Sequence, residues 1–458
     1  MIVIKNIKKE VEEMKRLIVV ALALLLAVPA ISYAGSASSR WDVMIGGYIK
    51  AELAYSDQMR ANQWALPLRE GKGGFEVAGD EYGNWDMTGV QTRFNFTIKG
   101  PDVWGMKTMG FIEGDFYGNG GTGTYNSQGN FRLRHAFIKL MEKNYEITIA
   151  GNTTQVFGTP TGQGQLLHTL YDWISPGLSI GAGRVPQINI EYFTPDKKWS
   201  FLFGLFMNTN TVGTNYATGR MDNWTWSETP SVHGRIMYST DKCGKIGNDK
   251  LTILVDGFYG TEKEIWDAQT GGLFAPGGAT STLSTGRTGW NDDDVDSWGV
   301  HASFFVPIIP EKKGNKTGAV GFSMYGWIAQ NPGFIGPGNP FPGSYGVYYR
   351  FAGADPAANT LYGWAPQFYV YATDKFMIDL FYSTIESKQS RRYKTVTAGI
   401  NTVEKVTQYG IILNYDPNPA LKFTLSWDRN EADYSRRVPT MSSDGKANTF
   451  KFCAFYFF

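Results

Sequence analysis

Apolar and polar side chains alternate through residues 45–55: Ile45, Gly47, Ile49, Ala51, Leu53 and Tyr55 share one face, while Tyr48, Lys50 and Glu52 share the other. Period-two alternation marks a strand, and charges in mid-strand mean that one face meets water while the other meets an apolar medium. The pattern recurs at 89–99, 106–116, 131–141, 145–152, 184–194, 199–208, 231–240, 251–260, 297–307, 318–329, 361–372, 376–387, 405–415, 420–429 and 448–458, which predicts sixteen strands. The connections alternate between long and short. The short ones, 100–105, 142–144, 195–198, 241–250, 308–317, 373–375 and 416–419, carry turn chemistry such as Gly100-Pro101-Asp102 and Asp416-Pro417-Asn418-Pro419. All seven fall between an even strand and the odd strand after it, so both ends of the barrel lie on one side. The fold class is therefore all-β: a transmembrane antiparallel up-and-down β-barrel with short periplasmic turns and long outer loops. A soluble sandwich or propeller would pack a dry core where this chain places charges. The stretches 260–296 and 330–360 could each add or remove a hairpin, which leaves fourteen and eighteen strands as the competing counts.

The two ends of the chain name a compartment. In the last segment Phe450, Phe452, Ala454, Tyr456 and the terminal Phe458 share one face. That pattern suits a closing strand whose outer side meets lipid and an interfacial belt. At the other end, Lys15-Arg16 precedes an apolar run from Leu17 to Ile31 and then Ser32-Tyr33-Ala34, the order of a cleaved secretory signal. The run is shorter than the roughly 20 residues of a spanning helix. Residues 1–34 are thus read as an extension plus signal peptide, with Met14 as the expected start and 35–458 as the barrel. The expected location is the bacterial outer membrane of a Gram-negative cell.

Composition narrows the function classes. Five of the 43 basic and three of the 42 acidic residues lie in 1–34, leaving 38 and 39 in the remainder. Such a balance gives no reason to expect a nucleic-acid partner. The only cysteines, Cys243 and Cys453, fall in a predicted turn and in the last strand, and form no redox or metal motif. No cofactor is expected. Of the four histidines, none sits beside an outward-facing serine with a third partner, so no hydrolase arrangement is expected and the chain is read as a non-enzyme.

Strands three to six carry a family likeness. The order Phe111-Ile112-Glu113-Gly114-Asp115-Phe116, a glycine-rich loop, Phe131-Arg132-Leu133-Arg134-His135-Ala136-Phe137, then Gly151-Asn152-Thr153-Thr154 and Gly183-Arg184-Val185-Pro186-Gln187-Ile188 resembles the DcaP-like porins and their phosphate-selective relatives. The resemblance implies a sixteen-stranded homotrimeric porin whose third outer loop folds into the lumen and narrows it.

The same residues yield a mechanism on their own chemistry. Glu113 and Asp115 share a face, as do Arg132 and Arg134 on the next strand, and all four have lumen parity. Opposite charges on adjacent walls would set up a transverse field that orients passing solutes. The other reading is that the four pair directly and stiffen the wall. His135, of opposite parity, is expected at the wall or an interface. The connection 152–183 is the candidate constriction loop, with Asp172 as its only formal charge. Arg93, Arg132, Arg134 and Arg235 have lumen parity around it and Arg184 lies at a loop mouth, so a basic wall is expected to favour small anions such as carboxylates. A structural barrel that sheathes or anchors a periplasmic partner is the alternative. Expected partners are two further copies of the chain, outer-membrane lipid and lipopolysaccharide. The acidic run Asp292-Asp293-Asp294 could hold a divalent cation bridging that lipopolysaccharide, or simply be solvated loop charge.

Overall fold

The structure is a computed structural model. It describes residues 41–58, 69–71, 82–116, 129–154, 156–159, 161, 184–207, 229–267, 290–330, 347–348, 357–358, 360–388, 403–434 and 439–458. The expected signal peptide and Asp172 lie outside the described residues. Sixteen long strands make the barrel wall: β1 (Asp42–Ser56), β2 (Arg93–Val103), β3 (Met106–Asp115), β4 (Arg132–Met141), β5 (Tyr145–Thr154), β6 (Arg184–Phe193), β7 (Trp199–Phe206), β8 (Ser231–Ile246), β9 (Asp249–Asp267), β10 (Trp290–Ile309), β11 (Val320–Gln330), β12 (Thr360–Tyr371), β13 (Phe376–Ser387), β14 (Val403–Asn418), β15 (Leu421–Tyr434) and β16 (Met441–Phe457). Each pairs antiparallel with the next, and β16 pairs with β1 from Tyr48↔Phe457 to Ser56↔Thr449, which closes the ring. The described residues contain no helix.

Alternation decides which side of the wall each residue meets. Ile45, Ile49, Leu53, Phe96, Ile138, Phe203, Ile253, Val300, Leu425 and Phe450 are all exposed on the outside, where water would make such a surface an aggregation hazard and lipid makes it favourable. Tyr48, Lys50, Glu52, Asp256, Gln367, Asp428 and Lys451 face inward. Near the lower rim Trp199 and Tyr238 pack at 4.7 Å and Tyr145 and Tyr192 at 5.1 Å, side chains suited to an interfacial belt.

Several strands run past the limits read from alternation. β9 continues to Asp267 and β10 begins at Trp290, so the backbone of Asp292-Asp293-Asp294 lies within a strand, paired with Lys263–Ile265, instead of at a loop end. The expected turn 241–250 is likewise mostly strand: a bulge between Thr240 and Lys245 lets β8 and β9 pair down to Ile246↔Asp249. Beyond the lipid both faces are wet, so the apolar face that signals a strand disappears while the backbone ladder continues. Between Gln330 and Thr360, which pair with each other in the wall, the described pairing of Val347–Tyr348 with Ala357–Ala358 forms a separate two-stranded ribbon and adds nothing to the wall.

The second predicted strand is interrupted. Residues Asn84–Thr88 pair with the upper half of β1, 89–92 leave the ladder, and pairing resumes at Arg93↔Tyr48. The excursion turns Gln91 toward Lys50, whose ammonium donates to Gln91 Oε1 at 2.7 Å and also pairs with Glu52. Gly47 makes the resumption possible. Its φ is +148°, and a Cβ there would stand 2.1 Å from the carbonyl oxygen of Arg93.

The turns follow their chemistry. In Thr194-Pro195-Asp196-Lys197-Lys198, the Thr194 hydroxyl donates to Asp196 Oδ1 at 2.7 Å and the Lys198 backbone N–H at 3.1 Å. These donors, with the Lys198 ammonium, hold the Asp196 carboxyl below the usual carboxylate range. Cys243 is exposed and Cys453 buried, and both are free thiols.

Candidate pore constriction

Two bulges shape the inner wall of β3–β5. Glu113 stands opposite His135 while Gly114 stands opposite Leu133, so Arg134 is an extra residue in β4. One strand further on, Ala136 stands opposite Asn152 and Phe137 opposite Ala150, which makes Gly151 extra in β5. The first bulge corrects the parity reading of His135. Counting from Arg132, alternation sends His135 outward; the inserted residue resets the phase, so Arg132, Arg134 and His135 all face the lumen. His135 Nδ1 lies 2.9 Å from Thr153 Oγ1, and its Nε2 lies 3.9 Å from Glu113 Oε1.

The bulge also brings the charges together. Arg132 grips Asp115 with two bonds, Nε to Oδ1 at 3.0 Å and Nη2 to Oδ2 at 2.7 Å. Arg134 bridges both carboxylates, donating to Glu113 Oε1 at 2.8 Å and to Asp115 Oδ2 at 2.5 Å. Arg93 approaches Glu113 Oε1 at 3.7 Å and lies 5.3 Å from the centre of the Tyr48 ring. The four central charges therefore touch, so a field between separated walls of opposite sign is replaced by one compact network.

Arg184 adds a further charge. It sits opposite Thr154 at the start of β6, within electrostatic reach of Arg134, Arg132 and Arg93, and makes no ion pair among the described residues. The patch thus holds four guanidinium groups against two carboxylates. Arg132 and Arg134 are held by short charge-assisted bonds to the acids, whereas Arg93 meets Glu113 at 3.7 Å, so the excess positive charge lies chiefly with Arg93 and Arg184.

Arg235 is placed elsewhere. It faces inward on β8, and its Nη2 donates to Glu191 Oε1 at 2.8 Å, which neutralises it locally. Glu191 was not singled out in the sequence, because it alternates correctly but has no charged neighbour along its own strand. Nearby, His233 Nε2 lies 2.6 Å from Asn189 Oδ1 and its ring stacks on Phe206 at 5.0 Å.

Described residues at the start of the β5–β6 connection reach the inner wall at β9 and β10. Phe157 is fully buried against Phe258 on β9, with ring centroids 4.8 Å apart. Gly158 and Thr161 bond to side chains of β9 and β10. Phe157, Val185, Phe206 and Phe258 belong to one apolar cluster, which continues through Tyr325 and Trp327 on β11 to Tyr434 on β15. Strands β2–β4, which carry Arg93, Glu113, Asp115, Arg132 and Arg134, stand almost opposite β9 and β10 in the sixteen-strand ring, whereas Arg184 on β6 lies closer to them.

No protein-family model and no curated protein matches the chain. Among solved structures it is similar to the outer-membrane channel DcaP of Acinetobacter baumannii, at 16% identity and a TM-score of 0.60 over 91% of this chain and 97% of that one. An anion-selective porin from Comamonas acidovorans matches at 13% identity and a TM-score of 0.48, over 91% of this chain and 100% of that one. Pseudomonas putida OprB matches at 10% identity and a TM-score of 0.49, over 91% and 94%. With its closed sixteen-strand wall, exposed apolar exterior and overall likeness to the DcaP channel, the chain has the porin fold, a closed antiparallel β-barrel.

Proposed function

We propose that the protein is a passive diffusion channel for small hydrophilic solutes and that it favours anions such as small carboxylates. The observation that carries the reading is the excess of guanidinium over carboxylate in the Arg93, Glu113, Asp115, Arg132, Arg134 and Arg184 patch on the lumen face. A narrow passage keeps an ion within about one Debye length, roughly 8 Å, of that patch, so the excess acts with little screening. The DcaP-like motif order through 111–188 points the same way.

The test is flux. Liposomes carrying the purified barrel should swell in isotonic small sugars, and faster in sodium salts of small carboxylates than in chloride salts of organic cations of equal size. Swelling no faster than in protein-free liposomes would overturn the channel reading, and equal rates for both salts would overturn the anion preference.

Export through a signal at 1–34 and assembly as a homotrimer belong to the same proposal. The small outward residues of β1 have two different causes: Gly47 is required by its own backbone geometry, whereas Ala51, exposed on the lipid side, leaves room for a neighbouring barrel. Cross-linking in detergent is expected to give a ladder ending at three chains; a ladder ending at one would contradict the trimer.

A further inference from the structure

Glu52, Glu113, Asp115, Glu191 and Asp256 each stand against a basic side chain on the inner wall. Asp379 on β13 does not. It is fully buried, and neither carboxylate oxygen meets a hydrogen-bond donor. Its rung neighbours are Tyr369 on β12 and Ile412 on β14, and Met377 and Phe381 flank it on the same face of its own strand. All four belong to one apolar cluster. The Tyr369 hydroxyl is engaged elsewhere, with Ser323 Oγ at 2.9 Å and with Gln367. No charged side chain among the described residues acts on the Asp379 carboxylate.

Two more orphaned groups lie beside it. Ser426 on β15 continues the rung from Asp379 through Ile412, and its buried hydroxyl makes no hydrogen bond. Asn414, one same-face step from Ile412 on β14 and opposite Met377, is 1% exposed, with neither amide atom bonded. Neighbouring strands are about 4.8 Å apart and same-face steps about 7 Å, so the three side chains surround Ile412 in one small patch. Burying a carboxylate without a donor is strongly unfavourable, and the adjacent amide and hydroxyl add to the cost. Wall packing does not account for it, because an apolar residue at 379 would complete the cluster of Tyr369, Met377, Phe381 and Ile412.

We propose that Asp379, Asn414 and Ser426 form a binding site for an organic cation, a primary ammonium carried on a short apolar stem. An ammonium has three N–H donors, and three successive strands present acceptors to it: the Asp379 carboxylate, Asn414 Oδ1 and Ser426 Oγ. The stem lies against Met377, whose unbranched thioether chain adapts to a ligand, and against the Phe381 and Tyr369 rings, whose faces favour a cation. A divalent metal would find one carboxylate in an apolar surround in place of about six oxygen ligands. Strands β16 and β1 separate the site from the arginine patch, and binding there is independent of the channel reading.

The test is calorimetric titration of the full-length barrel, in detergent at mildly alkaline pH, with butylammonium chloride. Saturable binding is expected, about tenfold tighter than for butanol, for potassium, or for tetramethylammonium, which has no N–H donor. Asp379→Asn keeps the shape and removes the charge, so it should weaken butylammonium about tenfold; with the unpaired carboxylate gone, its ligand-free heat-modifiable transition should lie above that of the unaltered barrel. Equal affinity in Asp379→Asn overturns the site. So does the absence of saturable binding to the unaltered barrel, the result expected of a carboxyl that simply stays protonated. Potassium binding as tightly as butylammonium overturns the organic-cation assignment. Asn414→Ala covers failure of the first variant to fold: it retains the charge, and should weaken butylammonium about fivefold while leaving tetramethylammonium unchanged. Unchanged butylammonium affinity in that variant overturns the hydrogen-bonded ammonium.

Discussion

Replacing Arg93 and Arg184 together by Gln is expected to remove most of the anion preference while leaving the Arg132–Asp115 and Arg134–Glu113 pairs in place. The change takes the patch from four positive and two negative groups to two of each. A unit charge about 7 Å from a permeating ion contributes about 0.6 kcal/mol in water, and salt roughly halves that. Two charges, acting with opposite sign on anion and cation, then alter the permeability ratio by about 1 kcal/mol, or about fivefold. The readout is the reversal potential under a salt gradient.

Arg132→Gln with Arg134→Gln makes an instructive comparison. It removes the same number of positive charges but also takes the Arg132 and Arg134 donors from Glu113 and Asp115. It should therefore also bring the patch to neutrality, and in addition lower the yield of folded barrel, because Asp115 is nearly inaccessible to water and would lose both guanidinium partners. An unchanged preference in the Arg93/Arg184 variant, with a strong change in Glu113→Gln and Asp115→Asn, would move the filter to the carboxylates and contradict the assignment.

The largest structural effect is expected at the seam. Gly47→Ala should prevent normal closure, since its Cβ would meet a backbone carbonyl oxygen at 2.1 Å and the Phe94 Cα at 3.2 Å, neither of which a side-chain rotation can relieve. The same glycine joins the chain end to the wall, donating to Phe458 O at 3.1 Å and accepting from Phe458 N at 3.3 Å. Deleting Phe458 should weaken assembly at the same place, removing that bond pair and the aromatic contact to Phe94, whose ring lies 6.1 Å away. Heat-modifiable migration measures both variants, and a normal yield of folded barrel from Gly47→Ala would contradict this account of the seam.

Much of the fold was legible because a lipid-facing wall forces strict alternation. Lys50 and Glu52 inward, Ile49 and Leu53 outward, and the aromatic last strand all follow from parity alone. Parity counts residues, however, and fails wherever the backbone inserts one. The bulge at Arg134 hid the inward position of His135, and the excursion at 89–92 hid the pairing of Lys50 with Gln91. Strand ends beyond the lipid were shortened for a related reason, since a ladder wet on both faces leaves no hydrophobic trace. Partners distant in the chain, such as Glu191 for Arg235 or Phe258 for Phe157, depend on register and on where a connection meets the wall. Neither leaves a periodic signal in one sequence.

The central claim is that a net positive patch lines a water-filled passage. Its most direct test is the reversal potential of the unaltered protein in a planar bilayer separating concentrated from dilute potassium chloride. The expected result is a stable ohmic channel whose reversal potential has the sign of chloride preference. A channel with potassium preference, or no ion-conducting channel from correctly folded protein, would contradict it.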